Sequence, residues 1–438
     1  MNREENKYLK INNIKITKAF IEWIIIILFF VFSFMSSTTL LISLVMLLIL
    51  LKQKEIGCIK ILNIITLRTI INPGIAIGIS KYQSFKWIII FGCSIYLQLS
   101  YFKLDKINKN KINILIKPII LFTIYNLLVA LFFSSLPIVA SFKIISYIIV
   151  FIGIIIGIGY TYKEVNWINW MFTLLILLLL TSALFLNLPV GYLRNGHAFQ
   201  GITNHPNIFG VVMSIFIAIL FTKMQSKSIN RKSIQIILLF FSIYEAYLSK
   251  SRTSMITILF LVIMYLLFSN IKSIYKILYL NLISVLTVLF FYIDNPIRDM
   301  FKSFLFKGNE DILYSRINQV DNLKDNFLAN PLFGSGFAVP VLPFKSYKFS
   351  FDYIVEPGNL ILAVLSYSGV IGFAIFSYYM FKIFWINKKE FRNVGFLFIV
   401  SIMISMGEMV FFSSNNIGIW CYMMLGMYVF FDKGNLKS

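Results

Sequence analysis

Fourteen apolar stretches, each 15–25 residues long, follow one another along this 438-residue chain with polar links between them. That rhythm leaves room for little except a bundle of membrane-spanning helices, because a segment crossing lipid must satisfy its own backbone. With 59% hydrophobic and 13% charged residues and a mean hydropathy of +0.83, the apolar side chains outnumber what a soluble core hides. The fold expected is an all-α polytopic membrane protein, one membrane domain over 1–438. Its spans are predicted at 18–36, 38–52, 62–80, 86–102, 118–138, 144–161, 168–188, 206–223, 234–249, 253–269, 277–293, 358–382, 394–412 and 417–431. Arg68, Asn72 and Pro73 interrupt the third.

A net charge of +22 would suggest nucleic acid in a soluble protein, but here the basic residues cluster in short loops between spans. With the N-terminus inside, the cytoplasmic segments hold 26 of the 40 Lys and Arg. The opposite side holds 13, of which seven lie in one long loop and the rest are Lys81, Lys86, Lys143, Arg194, Lys250 and Arg252. This asymmetry predicts a multi-pass cytoplasmic-membrane protein with both termini in the cytoplasm. Removing the third span would invert everything downstream.

The long loop, 295–357, is therefore expected outside, as a small cap on the bundle. Within it Asp311 to Asn330 reads as an amphipathic helix stopped by Pro331. At 100° per residue Ile312, Leu313, Ile317, Val320, Leu323 and Phe327 share one arc, and Arg316 falls in its middle. An arginine centred on an apolar stripe is costly unless the stripe faces an anion.

Two other external arginines have distinctive settings. Arg194 lies in the turn-rich Gly191-Tyr-Leu-Arg-Asn-Gly-His197, and Arg252 in Leu248-Ser-Lys-Ser-Arg-Thr-Ser254. They suit a diphosphate at the membrane surface, since a guanidinium offers two parallel hydrogen bonds, and they equally suit snorkelling to headgroups. Glu22, Arg68, Glu245 and Glu408 fall within spans. Each costs on the order of 2–3 kcal/mol if central, so each is expected to face the bundle interior and find a partner. Glu245, two turns before Arg252, is placed to orient that turn, or else belongs to a structural ion pair or sits at the membrane interface. Phe344, Tyr347, Phe349, Phe351 and Tyr353 suit sugar stacking or an interfacial aromatic belt. Cys58, Cys93 and Cys421 sit singly, with no pairing or metal spacing, and read as packing residues.

Three stretches together resemble the Wzy-type polysaccharide polymerase and O-antigen ligase superfamily. They are Gly201-Ile-Thr-Asn-His-Pro-Asn-Ile-Phe-Gly210, the Ser-Arg turn at 248–254, and a pattern that begins at Ser315-Arg316. The last continues through Asn330-Pro-Leu-Phe-Gly-Ser-Gly336 to Gly358-Asn-Leu-Ile-Leu-Ala-Val-Leu-Ser-Tyr-Ser-Gly-Val-Ile-Gly372. The resemblance covers about 190–380 and implies metal-independent glycosyl transfer, without cofactor, on the outer membrane face. The donor would be an undecaprenyl-diphosphate-linked oligosaccharide, and an acceptor sugar hydroxyl would attack its anomeric carbon. By that resemblance Arg252 and Arg316 stabilise the departing diphosphate. Arg194, His197, His205 and Asn359 are the candidate substrate-binding residues. Membrane lipid, a flippase and a chain-length regulator are the implied partners, and nucleic acid is not one.

Ligase members of the family carry a histidine before the Asn of the last motif, where this chain has Gly358. The nearest ionisable group is Glu356, which suits either a partly buried general base or an ordinary solvated loop carboxylate. The missing histidine favours a repeat-unit polymerase over a ligase. A lipid-linked oligosaccharide flippase or exporter is the alternative of another class, and would be expected to show two comparable halves.

Overall fold

The computed structural model describes residues 8–11, 14–194, 196–225, 232–269, 272–278, 281, 284–285, 317–339, 358–408 and 410–432. It is nearly all helical. The expectation of an all-α chain needs one correction, a short antiparallel hairpin of β1 (Tyr8–Ile11) and β2 (Ile14–Thr17) ahead of the first helix. Alternating Ile, Lys and Thr in a basic segment outside the apolar runs suits a two-stranded ribbon.

The first helices are α1 (Lys18–Met35), α2 (Ser37–Leu47, extended by a 3-10 turn to Gln53), α3 (Glu55–Thr69) and α4 (Gln83–Leu99). Then come α5 (Lys106–Phe133), α6 (Pro137–Thr161), α7 (Trp167–Ala183), α8 (Pro206–Gln225), α9 (Lys232–Leu248) and α10 (Arg252–Phe268). After α11 (Ile317–Ala329) follow α12 (Leu360–Ile386), α13 (Phe391–Ser405) and α14 (Gly418–Phe430). Five helical segments are long and apolar enough to cross a membrane: Gln83–Lys103, Lys106–Phe133, Pro137–Thr161, Pro206–Gln225 and Leu360–Ile386. Six shorter apolar helices accompany them among the described residues. The run 277–293 lies mostly outside those residues, and α11 is the described part of the helix predicted over 311–330.

Two helices organise the packing. α6 touches α4, α5 and α14, while α8 touches α7, α9, α10 and α13. Every residue of α8 from Phe209 to Thr222 is buried, as is all of α14. Helices apolar on every side belong in the centre of such a bundle.

The third span differs from its prediction. α3 starts at Glu55 and ends at Thr69, and 70–78 runs without helix. Asn72, Pro73 and Gly74 end it, and its freed backbone finds a partner in the stretch before α8. Asn72 N–H donates to Ile202 O at 2.9 Å, and Asn204 N–H donates to Ile70 O at 2.7 Å. Arg68, 1% exposed, donates from Nε to Ser33 Oγ at 2.9 Å and from Nη2 to the Ser33 and Ile77 carbonyls. Its charge thus holds irregular backbone in place. Glu22 is paired as expected, with Lys60 Nζ at 2.6 Å and Trp170 Nε1 at 3.1 Å. Cys58 and Cys93 do not sit singly; their side chains meet between α3 and α4.

Links that alternate along the chain gather at opposite ends. At one end Lys163 reaches Asp105 at 2.5 Å and holds that carboxyl below its ordinary range. There too Arg392 Nε donates to Phe268 O at 2.6 Å. At the other end Lys81 donates to Ser37 Oγ at 2.7 Å and Lys143 to Ala338 O at 2.9 Å. The second end carries the motifs.

Candidate active site

The stretch Gly201–Gly210 and the Ser-Arg turn are built against each other. α8 starts at Pro206, whose missing N–H suits a first helical position. One turn on, Gly210 lies against the serine turn: a Cβ there would stand 2.5 Å from Ser254 Oγ and 2.8 Å from Ser249 Oγ. Ser251 and Ser254 share a hydroxyl hydrogen bond at 2.8 Å, and Phe199 N–H donates to Leu248 O at 2.9 Å. The turn therefore delivers Arg252, half-buried, as the first residue of α10.

The third pattern makes a platform. α12 is broken at Gly369, whose φ of +62° and ψ of −171° belong to glycine almost alone. The break frees polar backbone that the 330–336 loop takes up. Val370 N–H donates to Pro331 O at 2.9 Å, Ser335 N–H to Ser366 O at 3.1 Å, and Gly336 N–H to Tyr367 O at 3.0 Å. Gly334, at φ +78°, lies so close to Tyr367 and Ser368 that no side chain fits there. α5 anchors the break through Tyr125, which donates to Ser368 O at 2.8 Å, and Asn126, which accepts from Ser368 Oγ at 2.6 Å.

A cavity of about 710 Å³ opens at this end of the bundle, and among the described residues of the two assemblies only the start of α8 contributes to its lining, through Ile208 and Val211. Its aromatic side is Trp87 and Phe142, with ring centroids 6.4 Å apart. Ser413, Ser414, Asn415 and Asn416 give it a polar side, and Lys143 and Glu408 supply its charges. Phe412 forms part of the floor and meets Phe337 of the platform edge-on at 4.9 Å. Glu408 Oε1 accepts from Asn207 Nδ2 at 2.8 Å, and Asn207 N–H donates to His205 Nδ1 at 3.1 Å. A Cβ at Gly407 would overlap Thr253, the residue after Arg252. The segment 407–417 is thus the hub on which all three motifs converge.

The candidates fare differently. His205 and Arg252 are brought to one hub, His205 through Asn207 and Arg252 through Thr253. Asn359 caps α12, its Oδ1 accepting from Leu362 N–H at 3.1 Å, so its side chain is engaged in the fold. Arg194 and His197 stand exposed in the loop before α8, with Arg194 N–H donating to Gln200 Oε1 at 2.8 Å. Arg316 and Glu356 lie outside the described residues, as do Phe344, Tyr347, Phe349, Phe351 and Tyr353. Glu245 is fully buried, and neither carboxylate oxygen makes a hydrogen bond among the described residues, so it does not orient Arg252 by that means. In the sequence Glu408 is only a span charge and Lys143 only a loop charge. The signal that marks the first is Gly407-Glu408 followed closely by Ser-Ser-Asn-Asn, a polar run at the end of an apolar helix.

Residues 237–377 match the family model described as O-antigen ligase. No curated protein matches the chain. The matched stretch contains the Ser-Arg turn and the whole platform, whereas the side chains that line the cavity all lie before or after it. The match over this middle segment is consistent with the Wzy-type polymerase and O-antigen ligase superfamily that the motifs resemble.

Proposed function

We propose that the protein polymerises lipid-diphosphate-linked oligosaccharide repeat units into a surface polysaccharide on the outer face of the cytoplasmic membrane. The observation that carries this reading is the packing of the Ser-Arg turn, within the matched segment, against Gly210 and Gly407, the sequence neighbours of Val211 and Glu408, which line a cavity of about 710 Å³. Arg252 sits where the N-terminus of α10 adds its own positive end, an arrangement suited to a diphosphate. In the proposed reaction Arg252 and Arg316 hold the leaving diphosphate as its charge develops. Glu356 is the base that the sequence offers for the acceptor hydroxyl. A polymer grown on the lipid needs no further acceptor than a second repeat unit.

The family's description favours a second reading, a ligase that moves finished glycan to another acceptor. Gly358, at the position of the ligase histidine, supports the polymerase instead. The lipid-linked pool of a deletion strain separates the readings. Single repeat units accumulating on the outer face are expected. Long lipid-linked chains would establish the ligase, and units held on the inner face would establish a flippase.

A further inference from the structure

We infer that the cavity bordered by Trp87, Phe142, Lys143, Glu408 and the Ser413–Asn416 run is the acceptor-sugar site, and that Glu408 takes the acceptor's proton. This deepens the proposed glycosyl transfer and rests on it, with Glu408 in place of Glu356 as the base. Three features converge on a sugar. The volume, about 710 Å³, lies within the usual 300–1,000 Å³ of small-ligand sites. Trp87 and Phe142 line it with aromatic rings, and Ser413, Ser414, Asn415 and Asn416 line it with two hydroxyls and two carboxamides. A pyranose has the matching character, with C–H faces for the rings and a rim of hydroxyls for Ser and Asn groups that both donate and accept.

The carboxylate is the third feature. Among the described residues Glu408 is the one acidic side chain that lines this cavity. It is held rather than loose: Asn207 donates to Oε1 at 2.8 Å, and Asn207 is itself set by the His205 ring. Since Nδ1 of His205 accepts, the neutral ring carries its proton on Nε2. Asn207 donates hydrogen to the carboxylate without neutralising it, which keeps the group an acceptor. The close approach of Gly407 to Thr253 sets the residue before Glu408 against the one that follows Arg252, so base and diphosphate-holding group come from adjoining elements.

The step balances without another reactant. The acceptor hydroxyl oxygen forms a bond to the donor's anomeric carbon while the bond from that carbon to the diphosphate oxygen breaks. The electron pair leaves with the lipid diphosphate, the proton passes to Glu408, and water later removes it.

The test uses the full chain in membranes and then in nanodiscs, with a polyprenyl-diphosphate-linked repeat unit as donor and the repeat-unit oligosaccharide without its lipid diphosphate as a separately varied acceptor. Glu408→Gln keeps the size and the hydrogen bond from Asn207 but not the basicity. It is expected to lower kcat about 10²–10³-fold, within the range for general bases, with the dissociation constant of the donor changed less than threefold. Val139→Trp, which fills the cavity from α6 and leaves Glu408 intact, is expected to raise the acceptor KM at least tenfold with the same donor binding. Glu408→Gln within threefold of the native rate, at equal protein level, overturns the base assignment; Val139→Trp with unchanged acceptor KM overturns the site. If Glu356→Gln is the inactive variant while Glu408→Gln is active, the base lies in the long loop. Either result leaves the polymerase reading intact as long as the deletion strain accumulates single units. Absence of that accumulation sinks the reading itself.

Discussion

Arg252 and Arg194 occupy the same end of the bundle in different ways, and the difference predicts how each tolerates lysine. Arg252 opens α10, half-buried, in a turn whose serines are tied to each other and to α8. A fork presented so rigidly suits bidentate binding, and a lysine keeps the charge while losing the second hydrogen bond. Arg252→Lys is expected to lower the polymerisation rate by about 10²–10³-fold, and Arg316→Lys likewise. Arg194 is exposed on a loop, and Arg194→Lys is expected to stay within about threefold. Polymer yield and length at matched membrane level measure all three. Near-native polymer from Arg252→Lys would reduce that residue to an interfacial anchor. The turn itself was legible, because a serine-rich break between two apolar runs reads the same in the sequence as in the fold. Glu408 was not: in the sequence it is one carboxylate inside an apolar run. The approach of Asn207, 201 residues earlier in the chain, ties it to the stretch before α8.

At the scale of elements, the glycines of the third pattern were visible and their purpose was not. Gly334 and Gly369 matter because two irregular stretches exchange backbone hydrogen bonds, a pairing between loop and broken helix that no local pattern encodes. Gly369→Ala brings strain of about 1–3 kcal/mol from its backbone angles, plus a collision with Leu332 O. It is expected to lower the Tm and abolish polymer while the chain still inserts. Gly92→Ala, where a Cβ meets nothing within 4 Å, is the control and should be silent. A Gly369→Ala protein with native Tm and activity would mean the platform does not form as described.

The misplaced third span has a related cause. Residues 70–80 are apolar enough to count as membrane, but Pro73 and Gly74 break helix there, and Ile202 and Asn204 satisfy what they release. The polar start of α3 enters the bundle because Glu22 neutralises Lys60, both side chains being at most 10% exposed. Removing one partner of such a pair leaves a buried charge, so Lys60→Met is expected to cost about 3–5 kcal/mol. Glu22→Met combined with Lys60→Met should recover most of that in a detergent Tm series. An additive double variant would show that the two side chains do not interact.

For the molecule as a whole, the asymmetry of charged links predicts which of them share a side of the membrane, because positive residues stay on the side where insertion leaves them. The absolute direction is an expectation that labelling decides. Cysteines at Ser303 and Ser346, in a chain lacking Cys58, Cys93 and Cys421, are expected to react with an impermeant thiol reagent on intact cells. Reaction only after permeabilisation would invert the molecule and move its site to the cytoplasm. The cavity's walls come from the two flanks of the chain, α4, α6 and α8 on one side and 408–417 on the other, while the family segment stands behind them. On the proposed reading, that division separates two inheritances. The part that handles the departing lipid carrier is held in common with the family, and the part that meets the incoming sugar is free to diverge. A lineage of such enzymes can then acquire a new surface polymer by remodelling its flanks, with the machinery for release untouched.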